Sequence, residues 1–148
     1  MKLTYENMKK FMVKYFKYYN KYSQDLETCY KMKEFWPEKF KATAYYHRKN
    51  GPFPIVCSNG TDFLNIIVQM HQKLEEVLTP LDIIIDEKRK KIGATLSIKK
   101  KSRKTGEQYD FTAIAIYQLG LDEENTIKIE SLDICVDDPE GITSIWQY

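Results

Sequence analysis

The chain has 148 residues, 43% of them hydrophobic and 14% aromatic, which is typical of one domain with a sizeable core and excludes a disordered segment. Its three cysteines, Cys29, Cys57 and Cys135, are widely spaced and odd in number, which favours reduced thiols over disulfides or a zinc site. No stretch approaches the ~20 apolar residues that cross a bilayer, and the N-terminus lacks a signal peptide's apolar run, so we expect a cytoplasmic protein.

The net charge of +2 conceals an uneven distribution along the chain. Residues 1–60 carry twelve Lys and Arg against five Asp and Glu, whereas residues 105–148 carry one against ten. One explanation is that the two parts are neighbours in one fold or at a dimer interface. The other is a basic surface for a phosphate-bearing partner. We favour the first.

The first predicted element is a long amphipathic helix over residues 5–22, with Thr4 as its N-cap. Its apolar side chains recur at helical spacing, and lysines fill the opposite face. Basic amphipathic helices also lie on membranes or in the grooves of partner proteins. Here the apolar face is rich in tyrosine, which favours a core helix. The residues of that face are Met8, Phe11, Met12, Tyr15, Tyr19 and Tyr22.

Four further elements are predicted before Pro80, one of them a short strand over residues 55–57. A shorter helix begins near Ser23 or Asp25 and stops at Pro37, and residues 39–47 then alternate as a strand. Residues 58–61 form a turn, and apolar residues recur at helical spacing over 62–77. This pattern predicts a third helix that Pro80 ends.

From residue 81 to the end, the apolar pattern has a period of two. It predicts four strands, with a charged turn at 87–90 and a second hairpin turn at 99–106. Residues 107–119 are apolar on both faces in their middle, which indicates a central strand. In the last strand, residues 126–137, the alternation changes phase near Glu130 and Ser131. A β-bulge explains such a shift.

This order of elements resembles the SnoaL-like branch of the nuclear transport factor 2-like superfamily, which also includes ketosteroid isomerase and scytalone dehydratase. The resemblance rests on the long first helix and on the segments FWPEKFKATAYY, SNGTDF and TIKIESLDICVD. It implies a single domain over residues 1–148 of the α+β class. Three helices in its N-terminal half would pack on a strongly curved, mostly antiparallel sheet, forming a cone with an internal cavity (a cystatin-like α+β roll).

The catalytic residues of ketosteroid isomerase match this sequence only in part. The tyrosine on its first helix falls at Tyr15. Its general-base aspartate falls near Ala44 and Tyr45, and its proton-donating aspartate falls near residues 113–115, where this chain has no acid. Isomerisation by that mechanism is therefore not expected.

The first candidate for a catalytic residue is Asp133. It alternates with Ser131 and Cys135 on the last strand, and the resemblance implies that this face lines the cavity. An apolar pocket raises the pKa of a carboxyl group, so that it can act as an acid or base near neutral pH. The alternative is that Asp133 lies on the solvent side of the strand.

Other side chains are candidates for roles beside Asp133. Tyr15 and His71 would donate to, or orient, the substrate, although a histidine beside an apolar stripe is also a common core residue. Tyrosine hydroxyls can equally be satisfied within a core. The predicted substrate-binding residues are Tyr19, Trp36, Tyr46 and Ser131.

The resemblance implies a cofactor-independent acid–base enzyme, such as a cyclase, isomerase or dehydratase, acting on a small apolar organic molecule. The alternative is a non-catalytic ligand-binding or dimeric interaction domain, and we expect a homodimer through the sheet. No nucleotide motif or metal-ligand spacing is present, so neither cofactor is expected. The run KKKSRK at 99–104 is a candidate for nucleic-acid or phosphoinositide binding. We predict instead that it is an exposed hairpin tip.

Overall fold

The computed structural model describes residues 2–141 of the chain. These residues form helices and a six-stranded sheet in an α+β arrangement, as predicted. The elements are α1 (Tyr5–Gln24), a 3-10 helix (Cys29–Glu34), β1 (Lys41–His47), β2 (Phe53–Cys57), α2 (Gly60–Lys73), β3 (Leu74–Asp86), β4 (Lys91–Ser102), β5 (Gln108–Leu121) and β6 (Ile127–Asp137). Among them, no helix is long and apolar enough to cross a membrane.

The sheet has the strand order β2-β1-β6-β5-β4-β3 and does not close into a barrel. All neighbouring strands are antiparallel except β1 and β6, which are parallel. The parallel pair joins the N-terminal hairpin to the C-terminal meander in one sheet. The helices cover its concave face, where the buried side chains of α1 meet those of β4, β5 and β6 in one core.

Helix α1 begins and packs as its sequence predicts. The Thr4 hydroxyl accepts a hydrogen bond from the Asn7 amide at 3.2 Å, which satisfies one of the free N–H groups of the first turn. The helix is tied to the edge strand β3 by Asn20. Its side-chain amide donates to the Leu78 carbonyl at 2.9 Å, and its oxygen accepts from the Leu78 N–H at 2.7 Å. This pair of bonds protects part of an edge strand that would otherwise be unpaired.

The third helix is shorter than predicted, and the prediction of helix over 74–77 is wrong. Helix α2 ends at Lys73, and strand β3 begins at Leu74 without an intervening loop. Leu74, Glu76 and Leu78 are buried in alternation, which is the pattern of a strand. Pro80 does not end a helix but lies within β3. An edge strand tolerates its missing N–H, and the register shifts there.

The predicted bulge in the last strand is confirmed. Ser131 lies opposite Gln118 and Ile129 lies opposite Leu119, so Glu130 is the extra residue. Because the bulge adds one residue to β6, the apolar side chains before and after it lie on the same face of the sheet. Ile129 and Leu132 are both buried on the concave side as a result.

The basic run 99–104 is only partly the exposed tip that was predicted. Strand β4 extends to Ser102, and Lys100 is 4% exposed because its side chain points to the concave face. Arg103 is half-buried and donates from Nε to the His71 carbonyl at 2.7 Å and from Nη2 to the Ser23 carbonyl at 2.6 Å. It therefore joins the C-terminal ends of both helices.

The oppositely charged parts of the chain are neighbours in this fold. The parallel pairing of β1 with β6 brings the basic residues after β1 next to the acidic residues after β6. Arg48 Nε lies 3.4 Å from the buried Asp138 Oδ2, and Lys49 pairs with Glu140. The charge asymmetry thus has an explanation within one chain.

Candidate active site

A cavity of about 570 Å³ lies between the helices and the concave face of the sheet. Its volume is within the range of pockets that hold small molecules. Most of its wall is apolar, from Ala42, Ala44, Ile55, Phe63, Ile66, Ile67, Met70, Leu78, Ile98, Leu132, Ile134 and Val136. Exposed residues of α2, including Gln69, Gln72 and Lys73, form its rim.

The predicted site residues divide into three groups. Tyr15, Tyr19 and Tyr46 line the cavity. Trp36 and His71 are buried in the layer behind its wall, where Trp36 packs edge to face on Phe63 at a centroid distance of 4.6 Å. Asp133 and Ser131 belong to the third group, which lies outside the cavity wall.

The prediction that Asp133 faces the concave side is wrong. Its side chain is exposed on the outer face, in register with Thr43 of β1 and Ile116 of β5. The prediction followed the resemblance, which implies that the face of Ser131, Asp133 and Cys135 lines the cavity. The bulge instead keeps the aliphatic side chains of Leu132 and Ile134 on the cavity side, so Asp133 and Ser131 alternate outward.

The carboxylate in the cavity wall belongs to Glu76, on strand β3. Its Oε1 accepts a short hydrogen bond from the Tyr19 hydroxyl and lies 3.3 Å from His71 Nε2. Its Oε2 lies 3.6 Å from Lys100 Nζ. Tyr19, Lys100 and Glu76 line the cavity itself, and the His71 ring packs edge to face on Tyr19 at 5.5 Å. These four side chains, Tyr19, His71, Glu76 and Lys100, are called the Glu76 cluster below.

Glu76 is ionised in this arrangement. Burial by itself raises the pKa of a carboxyl group, but the Lys100 ammonium and the hydrogen bonds from His71 and Tyr19 outweigh it. Together they lower the pKa of Glu76 to about 2. An ionised carboxylate only accepts hydrogen bonds, so His71 donates from Nε2, and its Nδ1 has no partner among residues 2–141.

Lys100 is held on the opposite side of the Glu76 carboxylate. Its ammonium lies 3.5 Å from the Met70 sulfur and 5.4 Å from the centre of the Phe111 ring. Both contacts are weak compared with a hydrogen bond to oxygen. The ammonium is therefore nearly removed from water and is stabilised chiefly by Glu76.

Three buried tyrosine hydroxyls belong to the polar part of the wall. Burial raises the pKa of Tyr15, Tyr19 and Tyr117, and the Glu76 charge raises each of them further. All three therefore remain protonated over the ordinary pH range. The Tyr15 and Tyr117 rings contact each other edge to face at 5.7 Å, so their positions are fixed by packing. A protonated phenol is a hydrogen-bond donor that can be aimed at a carbonyl or enolate oxygen.

The backbone around the Glu76 cluster is braced from two sides. The Ser23 hydroxyl donates to the Glu76 carbonyl, which joins the end of α1 to β3. Arg103 donates to the His71 carbonyl at 2.7 Å and contacts Glu75 at 3.5 Å. Such bracing fixes the geometry of a site before a ligand enters.

Metal binding is not supported by the described part of the chain. Within residues 2–141, no group of three or more His, Cys, Asp or Glu side chains could hold a metal ion. The buried Glu76 is already surrounded by donors, and Cys29, Cys57 and Cys135 are free thiols that lie on separate elements.

The sequence analysis missed Glu76 and Lys100, for two different reasons. Glu76 falls in the segment that was interpreted as helix, and Lys100 falls in a basic run that was interpreted as a solvated turn. One signal was available for both: Leu74, Glu76 and Leu78 alternate, and so do Ile98 and Lys100. Extending both strands by their period would have placed an acid and a base on the inner face.

Comparison by sequence finds no matching protein-family model and no matching curated protein. The fold is similar to solved structures. A candidate isomerase from Bacillus subtilis is 14% identical with a TM-score of 0.65, and the match covers 92% of this chain and 89% of that one. AusH from Aspergillus nidulans is 15% identical with a TM-score of 0.64, and the match covers 91% of this chain and 86% of that one.

A candidate polyketide cyclase from Xanthomonas campestris pv. campestris is also similar. It is 13% identical with a TM-score of 0.60, and the match covers 88% of this chain and 90% of that one. These matches span nearly the whole chain, including the helix layer and the curved sheet. The chain therefore shares the fold of these proteins, with helices packed on a curved, mostly antiparallel sheet, which is the fold that the resemblance of its sequence implies.

Proposed function

We propose that the chain is a cofactor-independent acid–base enzyme of the cyclase, isomerase or dehydratase kind, acting on a small apolar organic molecule in the cavity. The observation that carries this proposal is the Glu76 cluster, an ion pair and a phenol in the wall of a mostly apolar cavity. Burying two charges is costly, and apolar residues of similar size would serve the fold as well or better. Perturbed, buried titratable groups beside a cavity are typical of active sites.

The residues of the wall have distinct roles in this proposal. Glu76 is the group that removes a proton from carbon or oxygen of the substrate. Lys100 stabilises the negative charge that develops on the substrate as the proton leaves. Because Lys100 then pairs with that charge, it no longer pairs with Glu76. The hydroxyls of Tyr15 and Tyr117 donate to the substrate oxygen, since their raised pKa keeps them protonated.

The structural neighbours support the general type of chemistry and no more. Two of them are described as a candidate isomerase and a candidate polyketide cyclase, and these descriptions apply to those proteins. Identities of 13% and 14% do not transfer a residue role. The assignment of roles therefore rests on the Glu76 cluster of this chain.

Proton exchange with a model ketone tests the proposal without knowledge of the natural substrate. The probe is 2-tetralone, an apolar bicyclic ketone with acidic C–H groups next to its carbonyl. We expect the wild-type protein in D₂O to accelerate loss of those proton signals in NMR spectra. Glu76→Gln should reduce the exchange by about 100-fold or more, the usual contribution of a general base. Glu87→Gln, an exposed acid in the turn after β3, is the control and should not change it.

Two results would refute the enzymatic proposal. One is exchange at the buffer rate although 2-tetralone binds. The other is exchange by the Glu76→Gln variant at the wild-type rate.

The alternative is a non-catalytic ligand-binding or dimeric interaction domain of the same fold. One observation favours it: the carboxylate oxygens of Glu76 already face three donors, and a pKa of about 2 makes a weak base. Binding of 2-tetralone without proton exchange is the result that this alternative predicts. The two functions thus differ in turnover and not in binding.

The homodimer through the sheet stays a prediction. On the outer face, Val56, Ile84 and Ile114 are exposed, and the first two lie in one register row that crosses the sheet. Sedimentation velocity at micromolar concentration measures the oligomeric state directly. Replacing Ile114 by Lys should shift a dimer that forms there towards the monomer.

A further inference from the structure

The ammonium of Lys100 lacks the hydrogen bonds that a buried charge normally makes. Among residues 2–141, its only hydrogen-bond acceptor is the Met70 sulfur at 3.5 Å. The nearest carboxylate oxygen, Glu76 Oε2, is 3.6 Å away, which is an ion-pair distance and longer than a hydrogen bond. Lys100 is 4% exposed and lines the cavity. Unused N–H donors on a buried cation that lines a cavity point to a ligand oxygen.

The other polar groups around the cavity also offer donors. Tyr15 and Tyr117 have hydroxyls whose raised pKa keeps them protonated. Glu76 is the one carboxylate among the described lining residues, and it already accepts from Tyr19 and His71. Apart from the side chains of Gln69 and Gln72 at the rim, the ligand therefore meets a wall that supplies hydrogens, and acceptor oxygens on the ligand fit it best.

The charges of the wall favour an anion over a neutral acceptor. The charged lining residues are Lys73 at the exposed rim, Lys100 in the interior, and Glu76. Among them, Lys100 carries the unused N–H donors, and a hydrogen bond from an ammonium to a carboxylate is stronger than one to a neutral oxygen. Apart from Gln69 and Gln72 at the rim, the remainder of the lining is mostly aliphatic and aromatic, so an apolar body of the ligand fits it.

We propose that the cavity binds an apolar monocarboxylic acid, with its carboxylate hydrogen-bonded to Lys100 and its hydrocarbon body against the apolar wall. This inference specifies the ligand class of the proposed function. It also gives binding a chemical consequence at Glu76. The Lys100 charge is the principal cause that lowers the Glu76 pKa, so sharing it with a second carboxylate raises that pKa. The substrate itself thereby turns a weak base into a stronger one.

A pair of probes with the same ring system tests the inference. The acid is 2-naphthoic acid, which is ionised at neutral pH, and the neutral analogue is 2-naphthalenemethanol. Their affinities are measured by titration calorimetry or by the fluorescence of the naphthalene ring. We expect the wild-type protein to bind the acid about tenfold more tightly or better, since a charge-assisted hydrogen bond is added.

Three variants separate the role of Lys100 from a role in folding. The double variant Glu76→Gln/Lys100→Met removes both charges, leaves neither one buried alone, and should bind the two probes equally. Glu76→Gln by itself removes the competing carboxylate and should tighten binding of the acid and not of the alcohol. Lys101→Met, an exposed neighbour on β4, is the matched control and should keep the wild-type preference.

The inference is overturned if the wild-type protein binds both probes equally or binds neither, or if the double variant keeps the preference for the acid. These outcomes are distinct from a failure of the proposed function. Exchange of 2-tetralone without any preference for the acid leaves the enzymatic proposal standing and removes this one. A Lys100-dependent preference for the acid without exchange does the reverse.

Discussion

Replacing Glu76 by Gln should change how the stability of the protein depends on pH. The pKa of Glu76 is lowered from 4.5 to about 2 in the folded state, which corresponds to about 3 kcal/mol of stability at neutral pH. Because the folded-state pKa lies below that of the unfolded chain, this contribution is complete above about pH 4.5. It is lost as the pH falls towards about 2, and about 2 kcal/mol of it is gone at pH 3.

Urea denaturation at pH 7 and pH 3 measures this effect. We expect Glu76→Gln to be less stable than the wild type by about 3 kcal/mol at pH 7, and by only about 1 kcal/mol at pH 3. Other carboxyl groups titrate in both proteins and cancel in the difference. Glu87→Gln, which alters an exposed acid, should stay within about 0.5 kcal/mol of the wild type at both values. If the gap between wild type and Glu76→Gln were equal at the two pH values, Glu76 would not be the ionised, Lys100-paired group described above.

Three further predictions concern residues away from the Glu76 cluster. Gly60→Ala should destabilise the protein by about 1–3 kcal/mol in the same denaturation assay, because the new Cβ would lie 2.3 Å from the Pro37 carbonyl oxygen; an unchanged midpoint would contradict this. Cys135 is exposed and should react with a thiol reagent in the native protein, whereas the buried Cys29 should react only on unfolding. Asp133→Asn should leave the exchange of 2-tetralone unchanged, and a lost activity would return Asp133 to the site.

More of the fold than of the site could be predicted, because the fold depends on apolar patterns to which many residues contribute. The apolar arc of α1 and the two-residue period after Pro80 each involve several side chains, so one misassigned residue does not change the result. The junction of α2 and β3 is different. Residues 74–78 are compatible with both periods, and Pro80 is a helix breaker that an edge strand also accepts. Four residues of extra helix were enough to remove Glu76 from consideration.

The error at Asp133 shows how a site depends on register. The sequence located the bulge at the right residues, but the face of β6 that lines the cavity was predicted incorrectly. Since adjacent residues of a strand face opposite sides, one inserted residue decides which set lines the cavity. Asp133 and Glu76 are both acids on strands with aliphatic neighbours. Only the pairing of β6 with β5, with Glu130 left over, assigns Asp133 to the outer face.

The direct passage from α2 into β3 gives the Glu76 cluster its rigidity. His71 is the third-last residue of the helix and Glu76 is the third residue of the strand, so two different elements present their side chains within 3.3 Å without a loop. Arg103 and Ser23 hold the backbone of these two residues through their carbonyl groups. Most of the apolar wall, in contrast, comes from other parts of α2 and from β1, β2 and β6, and β3 and β4 add Leu78 and Ile98. Substitutions in that wall can therefore change which hydrocarbon body fits while the acid–base groups stay in place, and this separation suits a fold that accommodates different substrates.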